Sequence, residues 1–454
     1  MYNLGVITRF SHWLARIYHC LGLLLLVSLA GCVAVPPADP HPAADVVVAV
    51  PAGSEAEALN AAAAAYQQES GVRVRVEVSG VDVYQDMLDG ILLAGRADYD
   101  LVYLPASRLP RWVNYHALLP LSWQAAAASS PTAENVQIGL ALQSWQMMLT
   151  HSNLLYGFPT QPAVEALWYR ADLLAAAGLQ PPSTWEAFRA AALALTAAPD
   201  RYGLALAAGE NSPGIEFGAV LAGFGGQLFR PLDGDLTIVE LTLERPEAQQ
   251  ALAFYASLWA GQALAAPQSL VAGRAEAVSA LQAGRAAMAI LPLTAVPALF
   301  ACQTDAENSP ADCAENRWAF APLPGLPVGQ AVGELGAWAI PLHAAHPQDA
   351  QAFGAWLVGP VGARVWALNG GIPAADGLLA DPQVAAKAPY LAVLTGVLDY
   401  RLPYPPVSTG EQVETALHAG VQAAVSGRLD TATAIVEIAA ELKRALHQGG
   451  YSVR

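Results

Sequence analysis

The sequence predicts an α/β fold in two lobes, and three observations carry that reading. Between residues 46 and 105, strand-like apolar runs alternate with helical patterns in the order βαβαβ, and parallel strands need such helical crossovers. A second unit of the same mixed character begins near residue 157. Roughly 420 residues remain after an N-terminal leader of 31 is set aside, enough for two lobes.

The elements follow in order. VVVAV (46–50) is continuously apolar, as a strand buried on both faces should be. Ser54 and Glu57 have the spacing of a capping box, ahead of an alanine-rich helix that Gly71 closes. VRVRVEV (72–78) alternates with period two, a half-exposed strand. A short helix around YQDMLDGILLAG precedes a third strand, YDLVYLP (99–105). In the second unit Ser183 and Glu186 have capping-box spacing, followed by Trp185, Phe188, Ala192 and Leu195 on one helical face. Strand-like runs recur at RYGLALA (201–207), AAMAILPL (286–293) and ELGAWAI (334–340). The C-terminal third reads as mostly helical. Its last helix is capped by Asp430, carries Ile435, Ile438, Leu442 and Leu446 on one face, and stops at Gly449-Gly450.

Composition narrows the function. The chain is 54% hydrophobic and 13% charged, so it can bury a large core and is not a disordered chain. The formal charge of −16 becomes −18 when Arg9 and Arg16 leave with residues 1–31, and such an acidic chain disfavours nucleic acid as a partner. Leu21–Ala30 is too short to span a bilayer but has the length of a signal-peptide core, with two arginines before it and small residues after it. Leu29-Ala30-Gly31-Cys32 resembles the bacterial lipobox, which implies cleavage before Cys32 and lipidation of its thiol. Residues 32–44 are rich in proline and alanine and read as a tether. The expected location is therefore outside the cytoplasm, anchored by lipid to the outer face of a membrane. Cys302 and Cys313 then remain as a pair around a polar loop. A disulfide is the favoured reading, with reduced thiols as the other, and the bond would stabilise by about 3 kcal/mol or less.

The chain resembles the bacterial extracellular solute-binding proteins of ABC importers, in the cluster that includes maltose-binding proteins. The main piece is GFPTQPAVEALWYRADLLAAAGLQPPSTWEAF (157–188), where Gly157, Pro159, Tyr169, Ala177, Gly178, Leu179, Pro182, Thr184, Trp185 and Phe188 fit the family pattern and Arg170 departs from it. Further pieces are QESGVRVRVE (68–77), DYDLVYLP (98–105), FGGQLF (224–229), LQAGRAAMAI (281–290), GELGAWAIP (333–341) and NGGIPA (369–374). The resemblance implies a two-lobed, type II periplasmic-binding fold with a ligand cleft at the hinge. It implies lobe 1 from residues 45–157 and 289–335, and lobe 2 from 158–288 and 336–454. Hinge crossings are expected near Pro159 to Tyr169, near Leu291 and near Glu334 to Ile340. The implied function is capture of a small solute, a sugar or polyol first, by a monomer that delivers it to ABC permease subunits. No cofactor and no metal are implied.

Candidate solute contacts follow from this resemblance and from strand ends. They are Ser54 and Glu55 after the first strand, Tyr84 after the second, and Glu210 and Asn211 after a strand of the second lobe. Glu165, Trp168 and Tyr169 lie in the first hinge segment, where alternation lets at most one of the two aromatics face the cleft. Glu334 and Trp338 lie in the late hinge segment. Ser54 has capping of its helix as a competing role. The rival classes are an anchored glycoside hydrolase and a solute-sensing receptor subunit. Gly-x-Ser-x-Gly, His-Glu-x-x-His and Cys-x-x-Cys are all absent from the sequence, and His343 and His346 flank a turn with no third ligand in the pattern.

Overall fold

A computed structural model describes residues 46–121, 150–151, 154–209, 212–232, 237–260, 264–295, 299, 318–328, 330–373, 378, 381–388, 391, 399–401 and 406–454. The described residues form one compact unit. Cys32, Cys302 and Cys313 lie outside the described residues.

The first half of the unit runs β1 (Val46–Pro51), α1 (Ser54–Ser70), β2 (Val74–Ser79), α2 (Val81–Ala94) and β3 (Leu101–Pro105). A 3-10 turn (Ala106–Arg108) leads into α3 (Leu109–Asn114). After a hairpin of β4 (Thr150–His151) and β5 (Leu154–Leu155) comes β6 (Phe158–Arg170), 13 residues long. Next are α4 (Ala171–Ala176), α5 (Trp185–Leu195), β7 (Tyr202–Ala205) and α6 (Ser212–Gly223). They are followed by β8 (Phe229–Pro231), β9 (Ile238–Leu241), α7 (Pro246–Ser257), α8 (Arg274–Gln282) and β10 (Ala286–Pro292). The chain continues with β11 (Trp318–Ala321), β12 (Gln330–Ala339), α9 (Pro347–Val358), α10 (Pro360–Leu368) and α11 (Pro382–Lys387). It ends with β13 (Asp399–Arg401), α12 (Gly410–Val425), α13 (Thr431–Gln448) and β14 (Ser452–Val453).

The large sheet has the order β2-β1-β3-β12-β6-β10-β7, with β11 added on β6 and β13 on β12. β1, β2 and β3 are parallel to one another, with Val48 opposite Val76 and Leu101. β12 runs antiparallel to β3 and to β6. β10 runs antiparallel to β6 and parallel to β7. At about 3.3 Å per residue β6 is roughly 43 Å long, more than twice a usual strand, and it serves two lobes. Its first half pairs β12, and its second half, from Glu165, pairs β10 and β11.

These pairings correct the expected lobe boundaries. Residues 286–292 pair β7 in parallel and so belong to the second lobe, whereas a change of lobe was expected at 289. Residues 336–339 pair β3, and α9 and α10 pack on α1, so this stretch belongs to the first lobe. The physical reason is strand direction. β12 is the return strand that closes the first lobe's sheet, and its hydrophobic face, with Trp338 and Ile340, completes the core of Val48, Val50, Leu59, Phe353 and Trp366. The second lobe's core gathers Trp185, Phe188, Phe217, Tyr255, Leu417 and Leu442 from α5, α6, α7, α12 and α13.

Helix ends match the sequence to within a residue. Gly71 closes α1 in the left-handed region at φ 78°. α1 begins at Ser54 with Gly53 as its N-cap, and α5 is capped by Thr184, whose Oγ1 accepts from Ala187 N at 3.1 Å, so both expected caps shift by one position. Asp430 caps α13, accepting from Thr433 N at 2.9 Å.

Candidate functional site

Strand direction sets where the site lies. β1, β2, β3 and β6 share one direction and β7 and β10 run the opposite way, so the C-terminal edges of the two lobes' strands face each other across the hinge. Ligand crevices in open α/β sheets lie at such edges. β6 and β12 form the floor, with Glu334 opposite Ala163 and an irregularity in register between Leu335 and Gly336.

The first lobe's wall is built on β3 and the turn after it. The half-buried Tyr103 ring lies over Gly336, where a Cβ would come to 2.5 Å of the ring, and it meets Trp338 edge-on at 5.7 Å. Burial raises the pKa of its hydroxyl, and the charges of Glu55 and Glu334 push it the same way. Ser107 N donates to Glu334 Oε1 at 3.1 Å. Burial is the main cause that lifts the Glu334 carboxyl to about 7, the charge of Glu414 adds to it, and Ser107 and Arg108 oppose it.

The second lobe's wall centres on a buried ion pair. Glu165 is 5% exposed, and Arg274 Nη2, from the first residue of α8, reaches both its oxygens at 2.8 and 2.6 Å. Burial raises the Glu165 pKa and Arg274 counters it. Behind them Glu216, fully buried on α6, accepts from Ala207 N at 3.2 Å and from the Tyr255 hydroxyl at 2.7 Å. Burial lifts its carboxyl to about 7 against the pull of Arg274, Tyr255 and Ala207. The loop after β7 is pinned at two residues: Ala208 N donates to Ser269 O, Gly209 N to Ala272 O, and Gln422 Nε2 to Ala208 O. His418 accepts from Gly214 N at 2.9 Å, and burial lowers its pKa to about 4.

The lobes also touch through charge. Arg108 lies 3.8 Å from Glu414 of α12, and Arg111 pairs with Glu411 of α12 and, at 3.6 Å, with Asp89 of α2.

Of the expected site residues, the structure brings Glu55, Glu165 and Glu334 to the crevice edges. Ser54 starts α1 at the same edge. Glu210 and Asn211 lie outside the described residues. Three expectations are corrected. Tyr84 is 3% exposed, and its hydroxyl accepts from Tyr103 N while facing the carbonyls of Ala49 and Tyr103, so it ties α2 to β1 and β3. Trp168 is fully buried, donates to Leu291 O at 3.0 Å and packs on Phe320. Trp338 is fully buried between Tyr103 and Trp366. Tyr169 is half-buried but sits opposite Met288, four residues or about 13 Å along β6 from Glu165, away from the crevice. For Trp168 and Trp338 the physical cause is shared: large aromatics in strands covered on both faces complete cores.

Several residues at the crevice were not expected. Tyr103, Ser107 and Arg108 follow from the strand-end rule applied to β3. Arg274, Glu216 and Glu414 lie on helices whose docking no local pattern announces. Together the walls offer carboxylates as acceptors and guanidinium groups as donors, a set suited to polar, hydroxyl-rich solutes. Among the described residues no group of three His, Cys, Asp or Glu is placed to hold a metal ion. Nor is any helix among them long and apolar enough to cross a membrane.

Comparison with known proteins gives the context. The family described as bacterial extracellular solute-binding protein matches residues 52–364. A probable amino-acid ABC transporter periplasmic-binding protein of Sinorhizobium fredii is 25% identical over 309 residues, 66% of each chain. Among solved structures, maltose-bound MalE3 of T. maritima superposes with a TM-score of 0.73 at 22% identity, over 88% of this chain and 99% of that one. A solute-binding protein of Agrobacterium radiobacter in complex with ribitol gives 0.72 at 20% identity, over 89% and 100%. At these identities the structural matches establish the two-lobed fold.

Proposed function

The chain belongs to the bacterial extracellular solute-binding proteins, and we propose that it captures a sugar or polyol between its lobes and delivers it to the permease subunits of an ABC importer. Binding, and not turnover, is the activity of this family. The observation that supports the ligand class is the crevice edge itself. Glu55 and Glu334 on one side and Glu165 with Arg274 on the other offer acceptors and donors at hydrogen-bonding density, with the Tyr103 ring beside them. Structural neighbours of the same fold are bound to maltose and to ribitol. A solute touching both lobes binds only the closed form, so closure is a population shift driven by the added contacts.

A second reading has its own support. The Sinorhizobium fredii relative is named for amino acids, and an ammonium group would suit the carboxylates Glu334 and Glu414. A thermal-shift screen of the full chain against maltose, tagatose, ribitol and amino acids separates the two. A ligand at 100 times its Kd stabilises by about 2.7 kcal/mol. A shift with sugars or polyols only is expected, and a shift with amino acids only would overturn the carbohydrate reading.

The same proposal includes a lipid anchor at Cys32, a monomeric state and a Cys302–Cys313 disulfide. The lipobox-like LAGC supports the anchor, and the polar loop between the two cysteines supports the bond. Labelling with a palmitate analogue, lost on Cys32→Ser, tests the first. Mass spectrometry of a non-reduced digest tests the last.

A further inference from the structure

Titratable groups from several elements meet where the lobes touch, and α6, which carries the buried Glu216, also packs on β12. The 3-10 turn brings Ser107 and Arg108, α3 brings Arg111, α2 brings Asp89, β12 brings Glu334, and α12 brings Glu411 and Glu414. Tyr103 of β3 and Glu55 of α1 complete the surroundings of Glu334 on the first lobe's side. Opposite Glu334 on β6 stands Ala163, and the nearest carboxylate beyond it, Glu165, is engaged by Arg274. Ser107 lies directly under α12, since a Cβ on Gly410 would come to 3.3 Å of the Ser107 carbonyl oxygen.

The charges do not balance evenly. Arg111 is shared by Asp89 and Glu411. Arg108 faces Glu414 at 3.8 Å and also acts on Glu334, so one guanidinium serves two carboxylates that belong to different lobes. Parting the lobes would carry α12, and Glu414 with it, away from the turn and admit water to Glu334. In this structure both acids are desolvated by burial.

We propose that lobe closure in this protein takes up a proton, shared between Glu334 on the hinge strand and Glu414 on α12. The sign is fixed by the arrangement. Like charge and burial disfavour two ionised carboxylates in the closed form alone, so protonation favours closure and rising pH opens the lobes. Burial and Glu414 lift Glu334 to about 7 when the lobes touch, and Glu414 is also raised by burial. If parting the lobes returns Glu334 toward its ordinary value of 4.5, the closed-to-open ratio rises about tenfold between pH 8.5 and pH 6. The inference concerns the motion of the lobes and stands whichever solute is carried.

The test measures lobe separation without any solute. Nitroxide labels go on keto-bearing residues at the exposed positions 93 on α2 and 193 on α5, in the full chain in detergent, and distance distributions are recorded from pH 6 to pH 8.5. The short-distance population should grow about tenfold relative to the long one as pH falls. Glu334→Gln and Glu414→Gln, each near-isosteric, should flatten that dependence and hold the short distance at pH 8.5, with melting temperature confirming the fold of each. A wild-type distribution that does not move with pH overturns the proposal. So does a pH response that survives both substitutions.

Discussion

Removing Arg274 should expose how the second lobe's wall tolerates its acids. Glu165 is 5% exposed, and the Arg274 side chain, 19% exposed, is the cation at both its oxygens. Breaking a buried pair from one side costs about 3–5 kcal/mol because the remaining charge is left desolvated. Arg274 retains some contact with water, so about 3 kcal/mol at pH 8 is the expected loss for Arg274→Met. The pH dependence carries the argument. Burial already raises Glu165 and Arg274 restrains it, so without Arg274 the folded-state pKa rises further above its unfolded value. A raised acid favours the protonated fold. The penalty is therefore full above the folded pKa and shrinks as pH falls through it. Urea unfolding of wild type, Arg274→Met, Glu165→Gln and the double variant at pH 5 and pH 8 gives the coupling energy at each pH. A coupling of about 2 kcal/mol or more at pH 8 that falls at pH 5 is expected. A loss equal at both pH values, or a coupling below about 0.5 kcal/mol, would refute the claim that the pair is buried and charged.

Three further outcomes rest on other parts of the structure. Glu216→Gln should remove a stability decline seen in wild type as pH rises from below 4.5 through about 7, since the fold raises this acid; urea midpoints across pH 5 to 8 read it. Trp338→Ala should lower stability by about 3–5 kcal/mol, as loss of a buried aromatic does, so any loss of solute binding should be recovered at lower temperature where the variant is folded. Gly336→Ala should cost about 1–3 kcal/mol and displace the Tyr103 ring, because the added methyl meets that ring at 2.5 Å and Thr160 Cγ2 at 2.7 Å; unfolding curves and tyrosine fluorescence check both.

Local signals and global ones were legible to different degrees. Strand and helix order was readable because it lives in short-range pattern: the valines of β1, the alternation of β2, and Gly71 closing α1. The cap of α5 slipped by one residue because Ser183 and Thr184 offer the same hydroxyl and only backbone geometry chooses between them. The lobe boundaries failed for a deeper reason. Residues 286–292 and 330–339 are both apolar runs, and nothing in either says which sheet it joins; pairing across more than a hundred residues decides that. The site divided along the same line. Glu165 was readable as a carboxylate between apolar neighbours in a hinge strand, which needs a partner or solvent, and Glu334 by its place in the late hinge segment. Trp168 and Trp338 looked equally distinctive, yet an aromatic in a strand has a third option, burial, and the structure gives both that role.

The positions of the two readable carboxylates bear on how such a site works. Glu334 stands opposite Ala163, and Glu165 follows two residues later on the same hinge strand, so both lie close to the line about which the lobes turn. Groups near a pivot move little on closure; what changes around Glu334 is its neighbourhood, since Glu414 belongs to the other lobe. A solute contact at Glu165 would contribute affinity without discriminating open from closed, because a ligand shifts an equilibrium only through differential contacts. Glu411 and Glu414 lie on α12 of the second lobe and face Arg111 and Arg108 of the first. The pivot therefore suits recognition, while α12 and the turn after β3 report closure. Substitutions at Glu165 should weaken solute binding at every pH, and substitutions at Glu414 should alter chiefly its pH dependence. Titrating each variant by thermal shift with the solute found in the screen would show the difference, and equal behaviour of the two would refute the division.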